Sequence, residues 1–456
     1  MYITGIASGL DTDAWIEAIL AVERRPIAQM QQRKSTLQQE RDAWRDINTR
    51  LNNLSSRLSD LRLSITFTSR TASSSDATVA TASAGTAASP GVFRLEVIQL
   101  AQAHRVASDQ FALEDQLGLS GTFKITVGDK SAEITVGEDD TLATIAKKIN
   151  EADAGVTARI IDQRLVLQAT DLGESIEFED SAVDESGVLT QLGILKVDAE
   201  NPGEKFVKHE LQAAQDAVFK VDGLEITRKT NTVSDVIEGV TLTLLKAGET
   251  SVAIRHDINR VVDRVKAFVE QYNSVQTFIK DKTGKGQVLQ GDVLLQRIQA
   301  QLRHQTSAPI AGDTAYNQLA QIGITIDKSG TMTLDENKLR AAVNEDPDAV
   351  QRLFAASAAK DGFDGVAVRL GNQLEQWLRS GGGLLVSRQQ MLDDRMRDID
   401  RSIERMETRL EMRETTLRRQ FVRLEEVLGG YQTTATWLEA QLQQLNSFAS
   451  YQARRR

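Results

Sequence analysis

The residues that could carry out chemistry are few in this sequence, and they are scattered. The four histidines, His104, His209, His256 and His304, stand at no spacing typical of metal ligands. The 456 residues include no cysteine, which excludes disulfides, thiol catalysis and zinc–cysteine sites. No nucleophile elbow, zinc-protease helix or dinucleotide fingerprint occurs. We therefore expect a protein that is not an enzyme and needs no metal or other cofactor.

Two short motifs superficially resemble ligand sites. The run 282–286 (Lys-Thr-Gly-Lys-Gly) is similar to a phosphate-binding loop, but Ile279 replaces the upstream glycine and Gly286 stands where Ser or Thr should bind magnesium. The acidic clusters at 138–140 and 177–180 lack the alternating carboxylates and central glycine of a calcium loop. We interpret both clusters as solvated surface and reject the phosphate loop.

Charge and hydropathy exclude further classes. The net charge of −10 arises from 54 basic and 64 acidic residues that are interspersed, so no basic face for nucleic acid is expected. The arginines between Arg395 and Arg423 alternate with glutamates, as on a solvated coiled-coil surface. No stretch reaches the roughly 18 apolar residues of a membrane span. The start of the chain shows no basic segment followed by an apolar one, so we expect a cytosolic protein or export without a cleaved signal peptide.

Both ends of the chain carry apolar residues that alternate three and four positions apart, and the middle does not. Such a pattern places one apolar stripe along a helix, which must be buried against another helix. We therefore predict an antiparallel coiled-coil leg built from the two ends, with Leu51 and Leu54 facing a partner stripe that includes Ile399 and Ile403. The predicted seam consists of Leu37, Trp44, Ile47, Leu51, Leu54, Leu58 and Leu61 in the first helix and of Leu392, Met396, Ile399, Ile403, Met406 and Leu410 in the last.

Helix-breaking residues suggest where these helices begin and end. Asp11 or Thr12 is predicted to cap the first helix, and Pro26 to interrupt it because proline lacks an N–H donor. Glycines 381–383 predict a break before the final long helix, and Gly429-Gly430 an end to it. A separate amphipathic assembly helix should then hold Trp437, Leu438, Leu442 and Leu445.

The middle of the chain is predicted to be rich in strands. Residues 69–90, dominated by Ser, Thr and Ala, are either a linker or thin-edged strands, and period-two alternation begins after Gly91. Two stretches, 123–135 and 219–227, look like copies of one hairpin. Thr141 and Thr232, which follow them, could each cap a short helix.

These patterns predict an α+β multidomain fold. We expect an N-terminal assembly segment and coiled-coil helix over 1–68 and a β-rich head over 69–255, in which one domain (about 105–211) is inserted in another. A helical and α/β part of the leg domain, at the top of the leg, should occupy 256–383. The C-terminal coiled-coil helix and the terminal amphipathic helix should occupy 384–456.

The opening residues carry a resemblance to a known family. Residues 3–11 (Ile-Thr-Gly-Ile-Ala-Ser-Gly-Leu-Asp), with the Pro26 segment, resemble the N-terminal signature of the flagellar filament cap family, hook-associated protein 2. The stretches 268–273, 319–335 and 418–445 resemble that family's C-terminal half, whereas 121–210 carries no distinctive match. The signature positions are Ile3, Gly5, Ser8, Gly9, Leu10 and Asp11.

The resemblance implies a secreted, extracellular protein of the flagellum. Such a protein travels through the type III export channel, forms a ring-like homo-oligomer at the filament tip, and promotes folding and insertion of flagellin. The implied partners are copies of itself, flagellin and hook-associated proteins. A cytosolic export chaperone at the C-terminal helix and host surface glycans are further candidates. No nucleic acid and no membrane span are implied.

Two other functions compete with the cap. An exported adhesin would use the β-rich head to bind a host or environmental surface, and it could coexist with capping. A flagellum-associated wall hydrolase is the weaker alternative, because no acid/base pair stands in a recognisable setting.

Overall fold

The computed structural model describes residues 11–453 except 113–114, 183, 185, 202 and 313, and it leaves out the side chains of 445 and 447–453. The helices are α1 (Thr12–Arg62), α2 (Ile65–Thr68), α3 (Leu142–Glu151), α4 (Val188–Gln191), α5 (Ile258–Thr283), α6 (Val293–Ser307), α7 (Glu336–Glu345), α8 (Pro347–Ala355), α9 (Ala358–Asp361), α10 (Val366–Leu378) and α11 (Leu384–Ala453), with a 3-10 turn at Leu319–Ile322.

The strands follow one another mainly in the middle of the chain. They are β1 (Arg70–Ser74), β2 (Ala80–Ala84), β3 (Gly91–Gln99), β4 (Arg105–Gln110), β5 (Gly121–Val127), β6 (Lys130–Val136), β7 (Val156–Ile161), β8 (Arg164–Ala169), β9 (Ile176–Glu179), β10 (Leu195–Val197), β11 (Lys205–Val207), β12 (Glu210–Gln212), β13 (Ala217–Val221), β14 (Leu224–Arg228), β15 (Thr232–Val233), β16 (Val240–Leu244), β17 (Gly248–His256), β18 (Ile324–Ile326) and β19 (Met332–Leu334). The chain divides into one unit of 1–63 with 262–456 and a second of 64–261.

The second unit contains a two-layered β structure. One sheet has the order β1-β17-β3-β13-β14, and a smaller sheet has the order β15-β16-β2. Their inward-facing residues, such as Leu95, Phe219 and Ile254 of the first and Leu242 of the second, form one apolar core. Residues 69–90 are therefore the strands β1 and β2 of this structure, and not a linker.

A second apolar core lies within the same unit, between β3 and β13 in sequence. Its sheets have the orders β12-β4-β8-β7 and β6-β5-β9, and α3 packs its buried Leu142, Ile145 and Ile149 into the shared core. The chain enters and leaves this region at one place, because Gln102 and Gln215 exchange backbone hydrogen bonds of 2.8 and 3.2 Å. This strand order supports the proposal that 105–211 is an inserted domain.

The predicted hairpin repeat holds for the hairpins but not for the helices that should follow them. Thr141 caps α3 as expected, with its hydroxyl accepting from the N–H of Thr144. Thr232 instead begins β15 and pairs with Thr243 of β16, so no helix follows the second hairpin. The prediction of a capped helix there is wrong, because the β-branched Thr232-Val233 pair completes a sheet.

Pro26 lies inside a continuous α1, so the predicted interruption is wrong. Proline removes one backbone donor and leaves the carbonyl of Val22 without its usual intrahelical partner. Both Pro26 and Val22 are exposed, which lets water satisfy that carbonyl. The helix therefore tolerates the proline on its solvent face.

The glycine pair Gly429-Gly430 also fails to end a helix, because α11 runs unbroken from Leu384 to Ala453. The carbonyls of both glycines accept hydrogen bonds from threonine hydroxyls one turn later, Thr433 and Thr434, at 2.8 Å. Each glycine costs about 1 kcal/mol relative to alanine in a helix, which a long helix can absorb. The break predicted at 381–383 is confirmed, since α10 ends at Leu378.

A buried ion pair tightens the inserted region. The Asp180 carboxylate, 2% exposed, accepts from Lys205 Nζ at 2.8 Å and from the backbone N–H groups of Leu189 and Thr190. Burial acts to raise the pKa of Asp180, but these hydrogen bonds outweigh it and hold the pKa below its ordinary value. Asp180 thus stays ionised and ties β11 to the start of α4. The expectation that the acidic cluster at 177–180 is solvated surface is therefore wrong for Asp180.

Replacing Asp180 with alanine should destabilise the inserted region by about 2–4 kcal/mol, because Lys205 would remain buried without its carboxylate. Hydrogen exchange of β8 measures this as a drop in opening free energy. Glu179→Ala, which removes an exposed partner of Lys124, is the matched control and should change little. Equal effects of the two substitutions would contradict the prediction.

The same carboxylate predicts a pH dependence. Because the folded pKa of Asp180 is lowered, its stabilisation is fully present above the unfolded value of about 3.9. It is lost as the pH falls through the folded pKa. The opening free energy of β8, obtained from exchange rates corrected for their intrinsic pH dependence, should therefore fall at acid pH in the native chain more than in Asp180→Asn protein.

Candidate assembly site

The early part of α1 runs antiparallel to α11, and four ion pairs mark their register. The pairs are Asp13–Arg418 at 2.7 Å, Glu23–Arg413 at 3.5 Å, Lys34–Asp400 at 2.5 Å and Arg41–Asp393 at 3.8 Å. We call this pairing, 12–44 of α1 with 385–421 of α11, the terminal coiled coil. Hydrogen bonds to Glu414 and Asp13 raise the pKa of Arg418, so its positive charge is secure. Because all four pairs are solvent-exposed, they favour one register without adding much stability.

A small apolar cluster, which we call the end cluster, lies at the far end of the terminal coiled coil. Ile16, Leu20 and Leu417 are buried in it, and Leu410 and Phe421 pack against them partly exposed. Asp11 caps α1 just beyond this cluster, where its carboxylate accepts from the N–H of Ala14 at 3.0 Å. The cluster is therefore what holds the first turns of α1 against α11.

The second half of α1 packs together with α5, α6, α8 and α10, and we call these helices the helical bundle. The other end of the terminal coiled coil meets the bundle at three side chains, which we call the junction cluster: Trp44, Asp292 and Arg388. Trp44 is fully buried, and the Arg388 guanidinium lies 5.6 Å from the centroid of its ring. Arg388 Nη2 is 3.1 Å from Asp292 Oδ2. The other carboxylate oxygen of Asp292 caps α6 by accepting from the N–H groups of Leu294 and Leu295. The cluster thus links α1, α6 and α11.

The second half of α1 belongs to the bundle and not to the terminal coiled coil. Two contacts join it to α5: the Arg50 carbonyl accepts a hydrogen bond from Gln271 of α5, and Asp60 pairs with Arg264 of α5 at 2.8 Å. Helix α1 also packs against α10. The prediction that Leu51 and Leu54 face Ile399 and Ile403 is therefore wrong, since Asp400 lies opposite Lys34. An apolar stripe does not specify its partner, and a bundle offers several.

The predicted seam residues differ in burial between the two helices. In α11 Leu392 and Met396 are buried, whereas Ile399, Ile403, Met406 and Leu410 are half-buried. In α1 every predicted seam residue is buried, namely Leu37, Trp44, Ile47, Leu51, Leu54, Leu58 and Leu61. A two-helix pairing covers only one side of each stripe, whereas the bundle covers α1 from several sides.

The last part of α11, residues 424–453, extends past the start of α1, and we call it the overhang. Its apolar residues continue the heptad of the terminal coiled coil in phase, through Leu424, Leu428, Tyr431, Ala435, Leu438, Leu442 and Leu445. Leu424, Tyr431, Leu438 and Leu442 are 44–70% exposed, and Trp437 beside them is 60% exposed. The predicted assembly residues Trp437, Leu438 and Leu442 therefore lie on one exposed helix, with the side chain of Leu445 outside the description.

An exposed stripe of this kind indicates a missing partner. Isolated helices gain little stability in water, and most helical stability in proteins comes from packing an apolar face. The overhang also contains two glycines, each unfavourable in a helix by about 1 kcal/mol. Burial of its stripe against another helix would supply the missing stabilisation.

The remaining predicted residues fall elsewhere. Ile3, Gly5, Ser8, Gly9 and Leu10 of the signature lie outside the described residues, and Asp11 is the helix cap described above. Among the described residues, no group of three or more His, Asp or Glu is placed to hold a metal. No described helix is both long and apolar enough to cross a membrane.

Sequence reasoning missed the junction cluster and the continuity of the overhang. Nothing in the pattern links Asp292 to Arg388, which are distant in sequence and meet only through the bundle. The continuity had a signal, because the apolar positions on either side of Gly429 stay in one heptad phase. A helix that ended and restarted there would have no reason to keep that phase.

Comparison with known proteins matches models of one family along the chain. The model of the flagellar hook-associated protein 2 C-terminus matches residues 214–433, and that of its N-terminus matches residues 8–104. A flagellin hook IN motif matches residues 122–171, within the stretch that carried no distinctive resemblance.

Individual relatives agree with these models. The A-type flagellar hook-associated protein 2 of Pseudomonas aeruginosa is 29% identical over 95% of both chains. The B-type protein of the same species is 30% identical over 77% of both chains. Among solved structures, the flagellar cap protein FliD D1-D2-D3 domains from Escherichia coli are 26% identical with a TM-score of 0.58, over 77% of this chain and 99% of that one. The predicted fold class, α+β with helical ends and a β-rich middle, is confirmed.

Introducing a charge should affect the two halves of α1 differently. Leu20→Asp places a carboxylate in the small end cluster and should release the first turns of α1 while the bundle stays folded. Leu51→Asp places the same charge in the bundle and should destabilise it by several kcal/mol. Hydrogen exchange of α1 and α5 distinguishes the two. Loss of protection in α5 on Leu20→Asp substitution would contradict this separation.

Proposed function

Because this chain belongs to the flagellar hook-associated protein 2 family, we propose that it caps the growing flagellar filament as a homo-oligomer at the filament tip. In this role it promotes the folding and insertion of flagellin subunits and is needed for filament elongation. The proposal places the protein outside the cell, after export through the flagellar channel without a cleaved signal peptide. It involves no catalysis.

The observation that carries the proposal is the exposed stripe of the overhang. Leu424, Leu438 and Leu442 lie at heptad positions of the part of α11 that extends past the start of α1. Heptad stripes are buried by pairing with like stripes, so copies of the same chain are the simplest partners. A ring of subunits would bring several such helices together around one axis.

The weak end of the terminal coiled coil supports a role in insertion. Its first turns are held by the small cluster of Ile16, Leu20 and Leu417 and by exposed ion pairs such as Asp13–Arg418. Elements with few buried apolar contacts open locally at low free energy. An end that opens readily can release and rebind neighbouring filament subunits as each new flagellin arrives. Flagellin and hook-associated proteins are thus the proposed partners beside copies of this chain.

The same stripe supports a chaperone in the cytosol before export. Exposed apolar helices favour association, and a bound partner would cover Trp437 and Leu438 until the chain leaves the cell. The chaperone and the neighbouring subunits would then use one surface in succession.

The alternative function is adhesion through the β-rich unit, with host surface glycans as ligands. Its inserted region exposes about half of Phe206 and of Leu211, which are candidate contacts for a surface. Loss of the gene separates the two functions. Absent filaments with flagellin released into the medium support the cap, whereas intact filaments with lost attachment support a pure adhesin.

Charges on the stripe should abolish oligomerisation and capping. We expect Leu438→Asp/Leu442→Asp protein to remain monomeric in light scattering at every concentration, because a packed stripe cannot bury two carboxylates. In a strain lacking the gene it should not restore filaments seen by electron microscopy. The matched control, Thr433→Asp/Ala440→Asp, adds the same charge on the opposite face of the helix and should behave as the native chain. Filaments of normal length from the Leu438→Asp/Leu442→Asp variant would contradict the proposal.

A further inference from the structure

The apolar contacts of the terminal coiled coil do not specify a single register. Consider an advanced register, in which each residue of α11 takes the place of the residue seven positions before it. In the end cluster, Leu410, Leu417 and Phe421 would be replaced by Leu417, Leu424 and Leu428. Near the bundle, Ile399 and Ile403 would replace Leu392 and Met396. Every fully buried position would remain apolar, and among the half-buried seam positions only Met406 would be replaced by a charged residue, Arg413, whose long side chain can reach water.

Two of the four charged contacts repeat in the same way. Lys34 and Arg41 are seven residues apart, as are their partners Asp400 and Asp393. In the advanced register Lys34 would face Glu407 and Arg41 would face Asp400, so both cations keep an acidic partner. The loss falls at the far end, where Asp13 would meet Glu425 in place of Arg418 and Glu23 would meet the uncharged Gln420 in place of Arg413.

A shift in the opposite direction is not equivalent. Gln389 would take the buried place of Met396, and Glu414 would take the place of Phe421. Arg41 would face Val386 and lose its acidic partner. The set-back register places two polar residues in the seam, one of them at the fully buried position of Met396, whereas the advanced register places only Arg413 at a half-buried position, so the set-back register is the less favourable of the two.

The junction cluster is the part of the contact that does not repeat. In the observed register Arg388 lies beside Trp44 and Asp292. In the advanced register Arg395 would take that place, so the position would still hold an arginine but with different neighbours in sequence. Asp292 is fixed by its two hydrogen bonds to the start of α6, and its side chain is 10% exposed. A charge pair shielded from water discriminates between registers far more than the exposed pairs do.

The advanced register therefore offers Arg395 to the cluster in a different setting. The two arginines differ in their neighbours: Asp394 precedes Arg395 and Met396 follows it, whereas Ser387 precedes Arg388 and Gln389 follows it. Advancing α11 would bring Asp394 toward Asp292, which repels it, whereas Ser387 holds that place in the observed register. The cluster thus penalises the advanced register although an arginine is available.

We propose that the terminal coiled coil has two registers one heptad apart, and that the Arg388–Asp292 pair over Trp44 locks the observed one. Release of the lock lets α11 advance by seven residues, which moves the overhang by about 10 Å along its axis. The loop 379–383, which contains three glycines, and the first turns of α11 absorb the shift. The coiled coil then acts as a two-state element that carries movement between the bundle and the overhang. This inference concerns the fold and holds whether or not the protein caps a filament.

Cross-linking tests the proposal directly, because the chain has no cysteine of its own. Lys34→Cys is combined in turn with Asp400→Cys for the observed register, Glu407→Cys for the advanced one and Asp393→Cys for the set-back one. Each second substitution removes one acidic side chain, so the three pairs are matched. A short thiol-reactive bis-maleimide should join 34 to 400 and leave the other two pairs unjoined.

Unlocking is then introduced in each pair. Arg388→Met should raise the yield of the 34–407 cross-link at least about tenfold and leave the 34–393 pair unjoined. Asp292→Asn should act alike, because asparagine still caps α6 but carries no charge for Arg388. Arg405→Met, which removes an arginine bonded to Ser402 of its own helix, is the control and should change nothing.

Three results would overturn the proposal. The first is a 34–407 yield that stays at the native level in both unlocking variants. The second is an equal rise of the 34–407 and 34–393 yields, which would indicate a melted coiled coil. The third is a 34–407 cross-link in the native chain as strong as the 34–400 cross-link, which would show that Arg388 locks nothing.

Discussion

The rest of the structure depends on the need of two helices, at opposite ends of the chain, to bury their apolar stripes. Asp13 of α1 lies against Arg418 of α11, so nearly the whole sequence lies between the two helices of one coiled coil. The helical unit is consequently continuous in space but not in sequence, and the β-rich unit of 64–261 is inserted between its halves. Without α11 as a partner, the apolar side chains in the early heptads of α1 would be exposed to water, and nothing would hold the two helices together.

Periodicity predicted the elements well and their partners less well. The sequence predicted strand β3 from the alternation of apolar residues after Gly91, and helix α3 from the cap at Thr141. The seam was predictable as a set of buried residues in α1. Its division between α11 and the bundle was not, because an apolar stripe carries no information about which helix covers it.

The errors at Pro26 and Gly429 have a common cause. Local rules describe what a residue costs in a helix, whereas the outcome depends on what the neighbouring residues gain by staying helical. Pro26 lies on the solvent face, and Gly429 lies within a heptad that continues on both sides. The junction cluster lay beyond sequence reasoning altogether, since Trp44, Asp292 and Arg388 are brought together by three separate helices.

The hydrogen bonds between Gln102 and Gln215 have a consequence for the order of folding. Strands β3 and β13 pair in one sheet although the stretch 100–216 separates them, and closing so long a loop is entropically unfavourable. Once the inserted core has formed, its two ends are adjacent, and the effective loop shrinks to that of a tight turn. The insertion should therefore fold first, the surrounding sheets next, and the terminal coiled coil last, because its contacts span the greatest sequence separation. The latest contacts to form should also be the first to be lost when the chain unfolds.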